Sequence, residues 1–354
     1  MRTIELGTYQ ISIGNFEVPL RQLLETKEYS NVFVIVDENT RRYCLPLLRP
    51  VIADIKLIEI VAGEENKGID TCQVIWTQLM EQKADRNSLV LNLGGGVIGD
   101  MGGFCASTFK RGMDFIQMPS TLLSQVDASI GGKLGIDFLQ VKNSIGLFKD
   151  PQAVLVDIRF LHTLPANEIR SGFAEIVKHS LIADREQWNR IKLIRDLETI
   201  DWEEYVHPSL LIKQKVVEQD PFERGIRKAL NFGHTVGHAI EGLALESSQP
   251  LLHGEAIAIG MICESWLSHK IVGLPTAELE EITQFFLQIY DSYDLSHLPY
   301  EKLIQLMSND KKNIGKAINF SLLPKAGSVE INQTCAPSLI MESLDYYQSQ
   351  LQLV

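Results

Sequence analysis

The sequence predicts an α/β N-terminal nucleotide-binding domain with a parallel sheet, followed by a mainly α-helical C-terminal domain. Two observations lead to this fold class. Up to about residue 158, short β-branched runs alternate with helical stretches, which is typical of parallel strands covered by helices. From about Pro165 onward, long patterns of helical periodicity replace them. We expect the first domain to span residues 1–160 and the second to span residues 161–354.

The candidate elements follow from apolar periodicity and from the turns that end each run. The candidate strands of the first domain are Val32–Val36, Leu57–Val61, Leu89–Leu93, Phe115–Met118 and Val154–Val156. The helical patterns of the second domain cover about 166–183, 203–219, 231–246, 254–270 and 275–290. Two late apolar runs, Ile318–Leu323 and Ser328–Ile331, predict a hairpin before a last helix. A ligand site is expected in the cleft between the domains.

Composition excludes several classes of protein. The chain of 354 residues is 45% hydrophobic and 22% charged, which is ordinary for a soluble globular protein. Its formal charge of −12 would repel a phosphate backbone, so no nucleic-acid partner is expected. No run of about 18 apolar residues and no charged start followed by an apolar stretch is present. We therefore expect a cytoplasmic protein without a membrane partner.

A glycine-rich turn is the first motif that carries chemistry. Gly94–Asp100 follows the candidate strand Leu89–Leu93 and precedes an apolar helical stretch, which is the context of a phosphate-binding G-x-G-x-x-G turn. The glycines let backbone N–H groups approach a pyrophosphate at a helix N-terminus. The alternative is a plain strand-to-helix turn. An earlier strand ends at Asp37, where a carboxylate can hold an adenine or ribose edge, so the layout departs from the usual dinucleotide-binding order.

A second motif combines glycines with cations. Asp127 begins a stretch that reaches Gly131-Gly132-Lys133, and Lys142-Asn143 follows. Two glycines beside a lysine favour close backbone approach to an anion, with the ammonium group as a point charge. A surface loop rich in Gly and Lys is an equally good interpretation.

Three histidines form the third motif. His234 and His238 are spaced i, i+4 on one helical face, and His253 opens the next helical pattern. Catalytic zinc takes three protein ligands and leaves one position open, and Glu175, one turn from Lys178, is the candidate carboxylate. Buried hydrogen-bonded histidines and a solvated Glu/Lys pair are the open alternatives. Because cationic residues recur beside each motif in an acidic chain, we expect a small substrate with several negative charges.

The sequence resembles the 3-dehydroquinate synthase family of sugar phosphate cyclases from about Asp37 to Lys312. The resemblance depends on several motifs taken together: Gly63–Lys67, Gly94–Asp100, Lys110–Gly112, Thr121–Asp127, Ser129–Lys133, Lys142-Asn143, Ala174–Lys178, Leu230–Glu241 and His253–Met261. It implies a dehydroquinate synthase-like fold, NAD and a divalent metal (zinc or cobalt) as cofactors, and a homodimer.

The resemblance also implies roles for individual residues. The metal ligands would be Glu175, His234 and His253. NAD would be held by Asp37, Asn39, Glu64, Lys67, Gly95, Gly96, Val97, Ile98, Gly99, Asp100, Ser120, Thr121, Asp127, Lys133, Lys142, Phe160, Leu161, His162 and Thr163. The substrate, a small anionic sugar phosphate, would be held by Lys133, Asn143, Lys178, Lys213, Glu223, Arg227, Asn231, His238 and Lys312, with Arg111 supplied by the neighbouring subunit.

The implied reaction converts 3-deoxy-arabino-heptulosonate 7-phosphate to 3-dehydroquinate and phosphate by transient oxidation, elimination, re-reduction and ring closure, in the shikimate pathway. The competing interpretations are a related cyclase of secondary metabolism, a polyol or iron-type dehydrogenase, and a catalytically inactive relative. Two departures from the family's usual residues are Leu134, where a Thr is usual, and Val141, where a Gly is usual. The loss of a hydroxyl at Leu134 is expected to loosen a polar contact beside Lys133.

Overall fold

The chain folds into two compact units. The computed structural model describes residues 1–52, 54–139, 141–245, 247, 249–308 and 318–352. The first unit contains Met1–Pro165 and Trp202–Gln214, and the second contains Ala166–Asp201 and Lys215–Val354. The return of the chain to the first unit at Trp202–Gln214 was not predicted.

A mainly parallel sheet organises the first unit. Its strands and those of a separate hairpin are β1 (Arg2–Leu6), β2 (Tyr9–Ile13), β3 (Val32–Asp37), β4 (Lys56–Ile60), β5 (Leu89–Gly94), β6 (Asp114–Pro119), β7 (Lys133–Phe138), β8 (Val141–Phe148) and β9 (Ala153–Val156). The seven-stranded sheet has the order β1-β2-β9-β6-β5-β3-β4, and β7 pairs with β8 alone. Among the residues that the structure describes, β1 and β2 form the antiparallel pair of the large sheet, and its other neighbouring strands pair parallel.

Helices cover both faces of this sheet. They are α1 (Glu17–Thr26), α2 (Glu38–Tyr43), α3 (Leu45–Leu48), α4 (Ile69–Glu81) and α5 (Gly96–Thr108). Alternate residues of β3 enter two different cores: Phe33 and Ile35 pack with residues of α4 and α5, and Val34 and Val36 pack with residues of α1 and α3. Interior strand β5 is buried along its whole length, as expected of a parallel strand that is covered on both faces.

The second unit is mainly helical. Its elements are α6 (Ala166–Ala183), α7 (Arg185–Ile191), the end of α8 (Glu203–Gln219), α9 (His234–Ala244), α10 (His253–Ile271), α11 (Thr276–Ile289), α12 (Tyr300–Ser308), the antiparallel hairpin β10 (Asn319–Lys325) and β11 (Ser328–Thr334), and α13 (Pro337–Leu351). Within the described ranges, no helix has the length and apolar character needed to cross a membrane.

Close backbone packing brings three helices of the second unit together. A Cβ atom built on Gly260 of α10 would overlap the carbonyl oxygen of Gly233, which precedes α9. A Cβ atom built on Gly254, near the start of α10, would overlap the carbonyl oxygen of Ser171 in α6. Glycine at these two positions therefore lets α10 approach α9 and α6 closely, and these three helices carry the candidate metal ligands.

The predicted fold class is confirmed, and the five predicted strands appear as β3, β4, β5, β6 and β9. Two pairs of strands were missed. The β1–β2 pair lies outside the alternating strand-helix pattern, since its two strands follow each other directly and pair antiparallel with one another. Strand β8 is exposed along nearly its whole length, so it has no buried face, and the sequence predicts no strand around Lys133 and Lys142.

Candidate active site

A buried ion pair lies on helix α6. Glu175 and Lys178 are one turn apart, their side chains contact each other, and both are almost completely buried. Burying a lone charge is costly, so the two charges must compensate each other inside the second unit. The interpretation of this spacing as a solvated surface pair is therefore wrong.

The three candidate histidines lie close together. His234 and His238 occupy the first and second turns of α9, with ring centroids 5.0 Å apart. His253 begins α10, and its ring centroid lies 5.5 Å from that of His234 and 5.7 Å from that of His238. One nitrogen from each ring lies within 4.8 Å of the others, close enough to bind one metal ion together.

The Glu175 carboxylate joins this group. Its Oε1 atom lies 3.5 Å from Nε2 of His234 and 3.8 Å from Nε2 of His253. Two donor sets therefore overlap: Glu175 with His234 and His253, and the three histidines. One carboxylate and two imidazoles are a common ligand set for catalytic zinc, and the residues present fit a divalent metal.

The other nitrogen of each of these two rings contacts a fixed oxygen. Nδ1 of His234 lies 3.1 Å from the carbonyl oxygen of Phe232, and Nδ1 of His253 lies 3.2 Å from Oε2 of Glu241. Such contacts set the tautomer and the ring orientation of metal-binding histidines. Both Nε2 atoms are thereby directed towards Glu175. Sequence reasoning missed Glu241 as a functional candidate, although it continues the face of α9 at i+7 from His234.

The charge state of His253 reflects these carboxylates. Burial opposes a positive charge on the ring, but hydrogen bonds and charge interactions with Glu175 and Glu241 outweigh burial and raise the pKa of His253 to about 9. Without a metal ion, both nitrogens of the ring are therefore protonated near neutral pH, and the ring is positively charged. A metal ion would replace one of these protons as the positive charge between the two carboxylates.

A loop before α9 brings three predicted substrate residues together. Asn231 Nδ2 donates to Oε1 of Glu223 at 3.3 Å, and buried Arg227 donates from Nη1 to the carbonyl oxygen of Pro221 at 2.6 Å.

Asp220 holds the loop by accepting from three backbone N–H groups, those of Arg224, Gly225 and Arg227 at 2.8, 2.6 and 3.1 Å. Sequence reasoning did not identify Asp220.

Helix α9 starts later than predicted. It begins at His234 rather than near residue 231, because Ile226–Asn231 forms a 3-10 helix and Gly233 has a φ of +81°. That left-handed conformation favours glycine and separates the two helical segments. As a result, His234 stands in the first turn of α9.

The glycine-rich turn lies at the carboxyl end of β5. This strand is the neighbour of β3 in the sheet. The chain continues from β3 to β4 on one side and from β5 to β6 on the other, so the direction of the connections reverses between β3 and β5. Gly95 and Asp37, at the carboxyl ends of these two strands, therefore lie at the topological switch point. Helix α5 begins at Gly96, and its first backbone N–H groups therefore lie at this switch point. The Asp37 side chain also caps α2 by accepting from the Thr40 N–H at 2.7 Å, and Asn39 is exposed on α2.

Several other predicted nucleotide residues adjoin this turn. Lys67 is buried, with Nζ 2.8 Å from Oδ2 of Asp100 and 3.7 Å from Oε1 of Glu64. Ser120 donates its N–H to the carbonyl oxygen of Gly94 at 2.9 Å, and a Cβ atom on Gly95 would lie 3.1 Å from Cγ2 of Thr121. The turn and its neighbours therefore form one cluster within the first unit.

Not every predicted nucleotide residue offers its side chain. Phe160 is buried and stacks on Phe16 with ring centroids 5.6 Å apart, and Ile98 and Leu161 are buried as well. Only the backbone of these residues is available to a ligand. Val97 and Gly99 belong to the first turns of α5, and His162 and Thr163 are exposed at the end of the 3-10 helix Ile158–Thr163.

Lys213 contacts a residue of the second motif. It lies in the first unit, it is buried, and its Nζ contacts both the carbonyl oxygen and Oδ1 of Asp127, the latter at 2.7 Å. Lys133, Lys142 and Asn143 are exposed on the β7–β8 hairpin, and the Asn143 N–H donates to Oδ1 of Asp137 at 2.7 Å.

The two family departures have different environments. Leu134 is buried in the apolar core of the first unit, where a Cβ atom on Gly103 would overlap its Cδ2. The Leu134 side chain therefore serves the packing of this core, and the expectation that its lost hydroxyl loosens a polar contact stays a prediction. Val141 and Arg111 are exposed, and Lys312 lies outside the described residues.

Several solved structures share this fold. A 2-epi-5-epi-valiolone synthase from Streptomyces hygroscopicus subsp. jinggangensis, solved with NAD+ and Zn2+ bound, is similar with a TM-score of 0.87 and 23% identity over 99% of both chains. A 2-deoxy-scyllo-inosose synthase complexed with carbaglucose-6-phosphate, NAD+ and Co2+ gives 0.80 and 21% identity over 96% of this chain and 98% of its own. An iron-containing alcohol dehydrogenase gives 0.64 and 12% over 99% of both chains. The fold is that of the cyclases and, more distantly, of this dehydrogenase.

Sequence comparisons identify the family. Residues 57–171 match the family model described as 3-dehydroquinate synthase N-terminal, and residues 172–313 match 3-dehydroquinate synthase C-terminal. A 3-dehydroquinate synthase of Parabacteroides distasonis is 43% identical over 334 residues, covering 93% of this chain and 94% of its own length. One of Clostridium beijerinckii is 37% identical over 309 residues, covering 86% and 88%. The chain belongs to the 3-dehydroquinate synthase family, and the resemblance drawn from its motifs is confirmed.

Proposed function

We propose that this chain converts 3-deoxy-arabino-heptulosonate 7-phosphate to 3-dehydroquinate and phosphate, as an enzyme of the shikimate pathway. The observation that carries the proposal is the convergence of the His234 and His253 rings on the buried carboxylate of Glu175, in a chain of this family. A structural role alone would not require two imidazoles and a carboxylate to direct their donor atoms at one point.

Glu175, His234 and His253 would hold the metal, either zinc or cobalt, since one carboxylate and two imidazoles suit both. When bound, a divalent metal polarises a substrate hydroxyl and stabilises negative charge on its oxygen. His238 is exposed at the same point and is left to contact the substrate. Glu241 holds the His253 ring in the orientation that ligation needs.

The glycine-rich turn and the residues around it would hold NAD. The start of α5 offers backbone N–H groups to a pyrophosphate, and Lys67 adds a buried positive charge beside Asp100. When bound, NAD exchanges hydride reversibly with a substrate carbon and leaves the reaction unchanged. This assignment predicts that the nucleotide is required and is not consumed.

The chain's own cations would bind and orient the substrate anions. Lys178 and Arg227 are buried in the second unit, and Lys213 is buried in the first. Each of these cations has an oxygen partner in the chain, so its position is set before substrate arrives. Preorganised charges stabilise the developing anion without reorganisation during the reaction. Glu223, Asn231, Lys133, Asn143 and Lys312 would complete the substrate site.

We infer further that the enzyme is a cytoplasmic homodimer in which Arg111 reaches the substrate phosphate of the neighbouring subunit. Arg111 is exposed and has a φ of +71° at the end of the 3-10 helix Phe109–Arg111, and a guanidinium group binds phosphate well. Mixing inactive Arg111→Ala and His253→Ala chains tests this. In a two-fold dimer each mixed pair rebuilds one intact site, so a 1:1 mixture should recover roughly a quarter of wild-type activity.

One assay tests the proposed reaction. Purified chain is supplied with substrate, metal and substoichiometric NAD, phosphate release is followed, and the product is identified. We expect many turnovers per NAD without accumulation of NADH. Release of NADH in step with product would identify a dehydrogenase instead, and equal efficiency on a heptulose phosphate that lacks the carboxylate would identify a cyclase of secondary metabolism.

A further inference from the structure

Helix α9 begins without a capping side chain of its own. The residue before it is Gly233, which has no side chain, and its φ is +81°. The first N–H groups of a helix have no partner within the helix and are costly to leave unpaired when they are buried. Gly233 and Val236 are both buried, so the start of α9 needs acceptors from another element.

A carboxylate of α10 supplies them. Glu264 is completely buried, its Oε2 accepts from the Gly233 N–H at 2.7 Å, and its Oε1 accepts from the Val236 N–H at 3.1 Å. Charged acceptors make strong hydrogen bonds, and the positive end of the helix dipole favours an anion at this place. These interactions offset the cost of burying the carboxylate.

The contact is possible because the two helices nearly touch. Gly260, one turn before Glu264, allows the Gly233 carbonyl to lie against α10, and a Cβ atom on Gly237 would lie 3.0 Å from the carbonyl oxygen of Ala256. Close approach brings the Glu264 side chain within reach of the first turn of α9. Glu264 therefore bonds to residues on both sides of His234.

We propose that Glu264 is a positioning residue of the metal site, a role that rests on the proposed function. Glu264 holds the backbone of the Gly233–Val236 turn in place, and this backbone carries the ring of His234. Because Glu264 and His253 belong to the same helix, α10, the contact fixes the ring of His234 relative to His253. Loss of either hydrogen bond lets the first turn of α9 move, and Nε2 of His234 then no longer lies in register with Glu175 and His253. Glu264 itself contacts neither metal nor substrate.

The test compares metal binding by apo wild type, Glu264→Gln and Glu264→Ala. Zinc affinity is measured by competition with a chromophoric chelator, and the geometry of the site by the visible absorption of bound Co2+. Glutamine matches the size of glutamate, but it keeps one acceptor and turns an NH2 group towards the second backbone N–H. We expect zinc affinity to fall roughly 10- to 100-fold in Glu264→Gln, with an altered Co2+ spectrum.

Asp157→Asn is the matched control. Asp157 is also a buried carboxylate that accepts from backbone N–H groups, those of Phe16 at 3.2 Å and Arg159 at 2.9 Å, but it lies in the first unit. It should lower the melting temperature without changing the zinc affinity or the Co2+ spectrum. Equal changes in both variants would overturn the proposal, since they would indicate a general loss of stability.

The remaining outcomes are also decisive. Wild-type affinity and spectrum in Glu264→Gln would overturn the inference while leaving the proposed function intact. Absence of metal binding by wild type would instead overturn the proposed function. Glu264→Ala can fail to fold, in which case Glu264→Gln carries the test; failure of Glu264→Gln to fold would make Glu264 a determinant of the fold, and the positioning role would be rejected.

Discussion

The histidine cluster of the second unit and the β7–β8 hairpin of the first unit hold their candidate residues in opposite ways. In the cluster, Glu175 contacts Lys178 and His253 contacts Glu241. The side chains of Glu175, Lys178 and Glu241 are buried. On the hairpin, Lys133, Lys142 and Asn143 are exposed. The candidate residues of the cluster are therefore coupled to folding, whereas these three exposed hairpin residues can change without disturbing a core.

The comparison makes two kinds of expectation. A substitution in the cluster leaves a buried charge without its partner or lets a helix move. Both the free energy of unfolding and the affinity for metal should therefore decrease. A substitution on the hairpin removes an exposed group, so a loss of ligand affinity should occur with little loss of stability.

Alanine at His253 should abolish metal binding. The substitution removes one of the ligands that converge with Glu175 and leaves Glu241 without that imidazole. We expect no bound metal at equimolar zinc, measured by elemental analysis after gel filtration. His238→Ala is the matched control, because its ring lies in the same group yet is assigned to substrate, and it should keep the metal. Full occupancy in His253→Ala would remove His253 from the ligand set.

Alanine at Gly260 should disrupt the contact between α9 and α10. Its Cβ would overlap the carbonyl oxygen of Gly233 and lie 2.7 Å from the Gly237 N atom, and backbone atoms cannot move aside cheaply. We expect a loss of about 3 kcal/mol of unfolding free energy, measured by urea denaturation, together with weaker zinc binding.

Gly242→Ala is the control for this substitution. Gly242 lies in α9, the helix that Gly260 of α10 packs against, but nothing lies within 4 Å of a Cβ atom built at Gly242. Alanine favours the helix over glycine, so this variant should gain up to about 1 kcal/mol. Similar stability of the two variants would show that close helix approach is not required at Gly260.

Removal of Glu241 should weaken metal binding without abolishing it. Its Oε2 contacts Nδ1 of His253, and loss of such a partner lowers metal affinity by roughly 10- to 100-fold. We expect that loss in Glu241→Ala, measured by competition with a chelator. Glu241→Gln should lose less, because the amide oxygen still accepts from Nδ1. Equal affinities for all three proteins would mean that the His253 ring is held by other contacts.

The sequence predicted the fold well where one physical pattern dominated. The five parallel strands have continuous apolar runs because β5 and its neighbours are covered on both faces, and a long apolar periodicity identifies α6 and α10. Strand β8 could not be predicted in this way, since its residues are nearly all exposed and no face repeats. Its pairing with β7 is visible only in three dimensions.

The candidate ligands were predictable for a different reason. His234 and His238 share a helical face at i, i+4, and the family motifs single out Glu175 and His253. The residues that hold them were not predictable, because Glu264 acts on backbone N–H groups 28 and 31 positions away along the chain. A glutamate in the middle of an apolar helix carries no local sign of that partner. Sequence motifs therefore identify candidate ligands better than they identify the buried groups that contact them through the backbone.

Lys142 on the exposed hairpin should be far more tolerant of substitution than the cluster residues. Lys142 is exposed, and we assign it to NAD binding. An exposed lysine that contacts a phosphate contributes at most about 1 kcal/mol to binding, so Lys142→Ala should bind NAD up to roughly fivefold more weakly. Because the side chain is exposed, the unfolding free energy should stay within about 0.5 kcal/mol of wild type. Lys149→Ala is the control: Lys149 is also exposed, directly after β8, and has no assigned role. Calorimetric titration with NAD and urea denaturation of the three proteins separate the two effects. Equal NAD affinities in Lys142→Ala and Lys149→Ala would remove Lys142 from the nucleotide site, and a large loss of stability in Lys142→Ala alone would break the contrast between hairpin and cluster.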